Sequence, residues 1–416
     1  MPKKILFISP TGTFDNGAEI SIFYLMKHLV QQEYEVYNVA PQANAGIQTE
    51  YYNKYMEAGI KVDFIPILKW WWEDAPGGLP GTKEDRNAYY RENILKIRQL
   101  IQREKIDYVV TNTVNMFQGA VAASSESIPH FWLIHEFPTG EFGYYREKID
   151  FIDDFSDQIF AVTGNLQIEL QKLFPKREIM GFASFTEIRS VNQKIGKKTR
   201  IVSIGRLTQR KNQLELIKAY QQLGQTDVEL VFIGAWDDEY KKKCTEYIKT
   251  HQIKNVHFKG NKEDPWKEVT DQDICVYTSS METFGLVYVE ALLNGVPVII
   301  SDNPGYMSAY NMFHLGKIYQ LGNEIQLARL IRESITNFSN EKSNAVKMID
   351  SVREIYQVPV VYRDILLALE KEIEPTKRSM RHLADLVSSN EQKGRLARFE
   401  IRARKFVSKV HHRLRR

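Results

Sequence analysis

Two acidic side chains, Glu282 and Glu290, lie in TSSMETFGLVYVEALLNGVPVIISDNPG (residues 278–305), with seven residues between them. The stretch DICVYTSS before and at its start is a short apolar, β-branched run closed by small polar residues, a strand end. Thr283 then falls at an N-cap position, and Phe284 to Asn294 reads as a helix ended by Gly295. VPVIIS is a second strand, and Asp302-Asn303-Pro304-Gly305 reads as a turn. Strand, loop, helix and strand make one βαβ unit, and ligands bind where such strands end in loops. Gly285 falls in the first helical turn, where a missing side chain lets a ligand reach free backbone N–H groups. Those groups and the helix dipole favour a phosphate. Two glutamates beside a phosphate site suit a ligand with hydroxyls, a ribose or a hexose; a hydrogen bond to a charged group is worth about 1.5–3 kcal/mol. The plain alternative is a buried βαβ unit whose glutamates are solvated or paired.

Cations occur at a second strand end. Gly205-Arg206-Leu207-Thr208-Gln209-Arg210-Lys211-Asn212 follows the strand RIVSIG. Gly205 frees the backbone, and Arg206 and Lys211 bring two charges to a helix start. Such a pair neutralises a diphosphate leaving group better in a closed cleft than water does. Arg210 reads as an extra, solvated charge, and Asn212 as a helix cap. Near the N-terminus the strand Lys3 to Ser9 leads through PTGTFDNGAE to a helix from Ala18 to Gln31, with Gly17 at its start. His135 ends the strand IPHFWLI and is followed by Glu136; a neutral imidazole there donates to a sugar hydroxyl or accepts the acceptor's proton. Trp70, Trp71 and Trp72 precede EDAPGGLPGTKED. Three adjacent tryptophans cannot all face one core, so they read as a surface loop whose rings stack on a sugar or an interface, or as a loop folded over its own domain.

The residues Glu282, Phe284-Gly285, Glu290-Ala291, Gly295-Val296-Pro297-Val298 and Pro304-Gly305 resemble the signature of glycosyltransferase family 4, retaining enzymes of the two-domain GT-B fold. The resemblance implies that Glu282 contacts the donor sugar, Glu290 the nucleotide ribose, and Arg206 and Lys211 the diphosphate. It adds Gly17, Gly205, Phe284 and Gly285 to the donor site, and makes His135 catalytic together with Glu282, Arg206 and Lys211. Trp70, Trp71, Trp72 and Glu136 fall to the acceptor. The donor is then a nucleotide diphosphate sugar, and no metal or other cofactor is required. Asn212 stands where the family usually has glycine after the lysine, and Asn16 where it has the first of two glycines.

Strands and helical patterns alternate along both halves, the grammar of doubly wound parallel sheets. The expected fold is α/β of GT-B architecture. Residues 1–185 form an acceptor-binding Rossmann-like domain, 186–199 a linker, and 200–360 a nucleotide-sugar domain. Residues 361–385 are a helix crossing back to the first domain, and 386–416 a basic amphipathic tail. In that tail Leu396, Phe399, Ala403, Phe406 and Val410 recur on one helical face among ten basic residues from Lys393 onward, against Glu400 alone. It reads as an anchor for an anionic membrane surface, or as a solvated or chain-pairing helix. The composition is 43% hydrophobic and 26% charged with net charge +4, enough for two cores and too little charge to imply nucleic acid. Without a signal peptide or an apolar run of membrane-spanning length, the expected place is the cytoplasm, with contact to the inner face of the cell membrane. The acceptor expected is a glycan or lipid-linked glycan of a cell-surface polysaccharide. Two other readings fit the architecture: a nucleotide-sugar 2-epimerase, and a non-catalytic subunit supporting a partner transferase.

Overall fold

The computed structural model describes residues 2–14, 16–66, 81–187, 193–224, 227–376 and 378. The Trp70–Trp72 loop and the tail from 386 to 416 lie outside the described residues.

Two parallel sheets organise the chain. The first comprises β1 (Lys4–Ile8), β2 (Glu35–Pro41), β3 (Lys61–Ile65), β4 (Tyr108–Asn112), β5 (His130–Ile134), β6 (Gln158–Val162) and β7 (Met180–Phe182), in the order β3-β2-β1-β4-β5-β6-β7. The second comprises β8 (Arg200–Ile204), β9 (Glu229–Ile233), β10 (Val256–Phe258), β11 (Asp273–Tyr277), β12 (Val298–Ser301) and β13 (Lys317–Tyr319), in the order β10-β9-β8-β11-β12-β13. Every pairing is parallel, so each strand needs a crossover, and helices cover both faces. That is why the strands read as continuous apolar runs rather than alternating ones: Ile5 to Ile8 and Phe131 to Ile134 are wholly buried. The strand order reverses between β1 and β4 and between β8 and β11, and these switch points place the loops that carry the candidate residues. The expected α/β fold of GT-B type is what the chain adopts.

Two elements depart from the sequence reading. β7 is only three residues long and carries no periodic signal. Pro304 and Gly305, read as a turn, open a helix over Pro304–Phe313: Asn303 caps it by accepting from the N–H groups of Gly305 and Tyr306, with proline in the first turn.

The chain returns to the first sheet after the second. Helix Arg363–Glu370 lies against β7, and Lys3 Nζ closes its C-terminal end by donating to the carbonyls of Leu369 at 2.8 Å and Glu370 at 2.9 Å. Tyr362, wholly buried, donates to the Ser21 carbonyl at 2.7 Å and lies 2.5 Å from Ser21 Oγ, which accepts the Phe185 N–H at 2.9 Å. Tyr356 donates to the Ser184 carbonyl at 2.6 Å and accepts the Thr186 N–H at 3.0 Å. Two tyrosines of the returning segment thus fasten the start of the connection between the sheets. Tyr362→Phe should cost about 1–3 kcal/mol, because it strands the buried Ser21 hydroxyl proton. Chemical denaturation checks this, and a change below a few tenths of a kcal/mol contradicts the assignment.

Candidate functional site

β8 and β11 are hydrogen-bonded neighbours, so the loops that leave their C-terminal ends run side by side. Donors on Ser280 and Thr278 bind the loops together. Ser280 donates its N–H to the Arg210 carbonyl at 2.8 Å, and Thr278 Oγ1 donates to the carbonyls of Lys211 at 3.2 Å and Asn212 at 2.9 Å. This brings Lys211 Nζ to 2.7 Å from Glu282 Oε1, with the side chains 17% and 10% exposed. The contact is a short, largely buried ion pair. Arg210 reaches the same carboxylate: its Nη1 donates to the Met281 carbonyl at 2.8 Å and to Glu282 Oε2 at 3.3 Å. Burial would raise the Glu282 carboxyl, but the charges of Lys211 and Arg210 outweigh it and hold the group below its usual range. Arg210 is therefore part of the cluster, not the solvated bystander of the sequence reading. Arg206 is exposed and, among the described residues, has no ion-pair partner.

The loop around Glu282 is shaped by two glycines. Gly285, not Thr283, caps the helix Leu286–Leu293, with φ +86°. A Cβ there would lie 2.3 Å from the ring of Tyr306. A Cβ on Gly305 would lie 2.1 Å from the Glu282 carbonyl, so the helix Pro304–Phe313 packs directly on the backbone that carries the carboxylate. Tyr306 is wholly buried and its hydroxyl lies 3.2 Å from Ser279 Oγ. Phe284 is a core side chain, 2% exposed, so only its backbone is free to meet a ligand. Asn212 takes the left-handed conformation, φ +53°, that a glycine would take without strain; its side chain donates to Glu215 and does not cap the helix Gln213–Gln221.

Glu290, on the Leu286–Leu293 helix, faces the space between the sheets. Its Oε2 accepts the Trp266 indole N–H at 3.0 Å and its Oε1 the Thr186 hydroxyl at 3.3 Å. Burial pushes its carboxyl up, more than those donors and Lys211 pull it down. A cavity of about 490 Å³ opens beside it, with Glu290, Trp266, Asp264 and Thr186 on one wall and Phe23, Tyr24, Lys27 and Lys54 on the other. Arg206, Lys211, Glu282 and His135 are not part of that wall.

On the first sheet, Asn16 caps the helix Gly17–Gln31 by accepting the Glu19 N–H at 2.9 Å. Gly17 meets the second half of the chain: a Cβ there would touch Leu286 at 3.3 Å. Glu19 is wholly buried and holds the loop from behind, accepting from Tyr51 at 2.5 Å, Tyr55 at 3.0 Å and Thr11 at 3.3 Å. His135 is 7% exposed; its Nε2 lies 2.7 Å from Asn112 Oδ1, and Asn112 Nδ2 donates to the Ala18 carbonyl. That second bond fixes the amide, so Nε2 carries the proton and Nδ1 the lone pair. Burial lowers His135 to about 3, leaving a neutral imidazole. Glu136 turns inward, 8% exposed, and its Oε2 accepts the N–H groups of Val114 at 3.2 Å and His135 at 3.1 Å. Burial raises it to about 7 despite those bonds. Among the described residues no group of three or more His, Cys, Asp or Glu could hold a metal, and no helix is long and apolar enough to cross a membrane.

The structure thus gathers Arg206, Lys211, Glu282 and Gly285 at adjacent strand ends and joins His135 to the Gly17 loop through Asn112. Sequence reasoning named Arg210 only as an extra charge and gave no role to Trp266, Thr186, Asn112 or Glu19. Glu19, two residues after Gly17 on the buried face of its helix, carried a local signal.

Comparison with known proteins settles the kinship. The family described as Glycosyl transferases group 1 matches residues 184–350, and Glycosyltransferase Family 4 matches residues 15–179. The chain belongs to glycosyltransferase family 4. The chain is 27% identical over 166 residues to the poly(glycerol-phosphate) alpha-glucosyltransferase of Bacillus subtilis (strain 168), covering 38% of the chain and 24% of that protein. It therefore spans about a quarter of that relative's length. It is 23% identical over 275 residues to the lipopolysaccharide core biosynthesis glycosyltransferase LpsE of Rhizobium meliloti (strain 1021), covering 63% of the chain and 77% of LpsE. Its fold is that of Anabaena HepE, solved with UDP and glucose, at TM-score 0.69, 18% identity and coverage of 88% and 99% of the two chains. The fold is shared with TarM at TM-score 0.71, 14% identity and coverage of 89% and 99%.

Glu136 gives a pH-dependent prediction. Its folded value lies above that of an unfolded glutamate, so the proton it holds stabilises the fold fully at low pH. That stability is lost as pH rises through about 7. Glu136→Gln should therefore gain Tm relative to the wild type as pH goes from 5 to 8, with a constant difference above that. A difference independent of pH contradicts it.

Proposed function

We propose that this glycosyltransferase is a retaining hexosyltransferase that moves a hexose-type sugar from a nucleotide diphosphate sugar to a glycan or lipid-linked acceptor of a cell-surface polysaccharide. The observation that carries the reading is the mostly buried Lys211–Glu282 pair at the ends of β8 and β11, with Arg206 exposed on the same loop as Lys211. Arg206 and Lys211 take the diphosphate, and the reading assigns no metal. When the bond from the anomeric carbon to the phosphate oxygen breaks, the electron pair stays on that oxygen, where fixed cations meet it. Glu282, once Lys211 turns to the diphosphate, takes a hydroxyl of the sugar. Glu290 takes the ribose hydroxyls. His135 is a neutral imidazole that orients sugar hydroxyls near the reacting carbon; it is not a general acid. Gly17, Gly205 and Gly285 meet the donor's phosphates through their backbone; of the three, only Gly205 has open space where a side chain would stand. Glu136, buried against the strand ends, supports the acceptor side through His135, and Trp70 to Trp72 contribute acceptor contacts.

Retention is supported by the family. The acceptor class is supported by the names of the relatives, which act on a poly(glycerol-phosphate) or in lipopolysaccharide core synthesis, and by the basic sequence of residues 393–416. That tail brings the protein to the anionic inner face of the cell membrane from the cytoplasm.

A panel of nucleotide sugars and their diphosphates tests the reading by calorimetry and by transfer. Arg206→Ala and Lys211→Ala should each weaken nucleoside diphosphate binding about 10-fold or more, the loss of a charge-assisted hydrogen bond. Unchanged affinity in both removes the diphosphate assignment, and an epimerised sugar formed without acceptor replaces transfer by isomerisation. Glu282→Gln should separate two effects. It frees Lys211 from a competing carboxylate, so diphosphate binding should tighten about 3–10-fold while transfer falls. Weaker diphosphate binding in that variant contradicts the competition.

A further inference from the structure

Glu290 is held by donors from two different parts of the chain. Trp266 belongs to a short 3-10 turn, Pro265–Glu268, between β10 and β11, and Thr186 to the segment joining the sheets. Trp266 is 6% exposed, and its own N–H is tied to Asp264 Oδ1 at 3.2 Å, so the ring has little freedom. Its indole nitrogen donates only, and it meets Glu290 Oε2 at 3.0 Å. An ionised carboxylate has about four lone-pair sites, and these two donors occupy one on each oxygen. Both oxygens thus keep acceptor capacity on a side chain that lines the 490 Å³ cavity.

We propose that Trp266 is a positioning residue for the donor: its indole N–H locks the Glu290 carboxylate in the orientation that receives the ribose hydroxyls, with Thr186 as the second hold. The proposal rests on the reading of Glu290 as the ribose contact. Thr186 also ties this carboxylate to the connection between the sheets, because its N–H is bonded to the Tyr356 hydroxyl of the returning segment. The ribose grip and the start of the connection between the sheets therefore share one hydrogen-bonded chain, from Ser184 through Tyr356 and Thr186 to Glu290 and Trp266.

The test compares UDP or GDP, whichever binds the wild type more tightly, with its 2′,3′-dideoxy form, by calorimetry. The wild type should prefer the ribose form. Trp266→Phe keeps a ring and removes the N–H. It should weaken binding of the ribose form about five-fold and leave the dideoxy form unchanged, so the preference collapses. A merely structural role would weaken both forms equally, and that result, or an intact preference, overturns the proposal. Glu290→Gln separates this from the underlying reading. If it abolishes the preference while Trp266→Phe does not, the ribose contact stands and the positioning role falls. If it leaves the preference intact, the ribose reading itself falls. Thr186→Val, which removes the second donor at nearly constant volume, should reduce the preference in the same direction and carries the test should Trp266→Phe not fold.

Discussion

A cation and a carboxylate held 2.7 Å apart, both largely out of water, set the terms for the rest of this molecule. Removing two charges from solvent costs several kcal/mol per ion, and their attraction offsets that only when neighbouring groups hold the geometry. Here the holding groups are mostly backbone. Lys211 and Glu282 leave adjacent strands, and the carbonyls of Arg210, Lys211 and Asn212 are tied to Ser280 and Thr278. On the other side, Gly305 lets a helix press on the Glu282 carbonyl and Gly285 lets the Tyr306 ring fill the first turn of the next helix. A site built this way is stiff before a ligand arrives, which is what electrostatic stabilisation of a leaving phosphate requires.

Stiffness of the strand ends is matched by anchoring where the connection between the sheets begins. The returning segment places Tyr356 and Tyr362, both buried, on the residues that begin the connection between the sheets. The halves also touch away from that connection, where Asn165 donates its N–H to Ser308 Oγ at 3.1 Å and its amide to the Pro304 carbonyl at 2.8 Å. Pro304 and Ser308 lie on the helix that packs against Glu282. The contact between halves and the acidic end of the site are therefore linked through one rigid element.

Much of this was legible in sequence because parallel strands buried on both faces are written as uninterrupted apolar runs, and because loops at their ends carry the chemistry. Glu282, Lys211 and Gly285 could be picked out for those reasons. The pairing of Lys211 with Glu282 could not: it depends on β8 lying beside β11, a long-range fact of strand order that no local pattern states. Arg210 was read as solvated because its partners, the Met281 carbonyl and Glu282, are about seventy residues away in sequence. Trp266 and Thr186 escaped for the same reason, and so did Asn112, which sits at a strand end but acts on His135 from the neighbouring strand. Residue type points to Thr283 as the cap, yet the helix starts two residues later at Gly285, whose left-handed backbone and contact with Tyr306 leave no place for a side chain. The helix from Pro304 was read as a turn because Asp-Asn-Pro-Gly is a turn composition. The same asparagine and proline also start a helix when an apolar face follows, as Tyr306, Ala309 and Phe313 do here.

The most direct measurement is a crystal structure of the chain with the nucleotide sugar that it binds most tightly. Diphosphate oxygens should lie about 2.7–3.2 Å from the Arg206 guanidinium and the Lys211 ammonium. A sugar hydroxyl should lie on Glu282, with Lys211 drawn away from that carboxylate. A diphosphate bound elsewhere, with the Lys211–Glu282 contact still closed, would contradict the whole assignment of charge at this site.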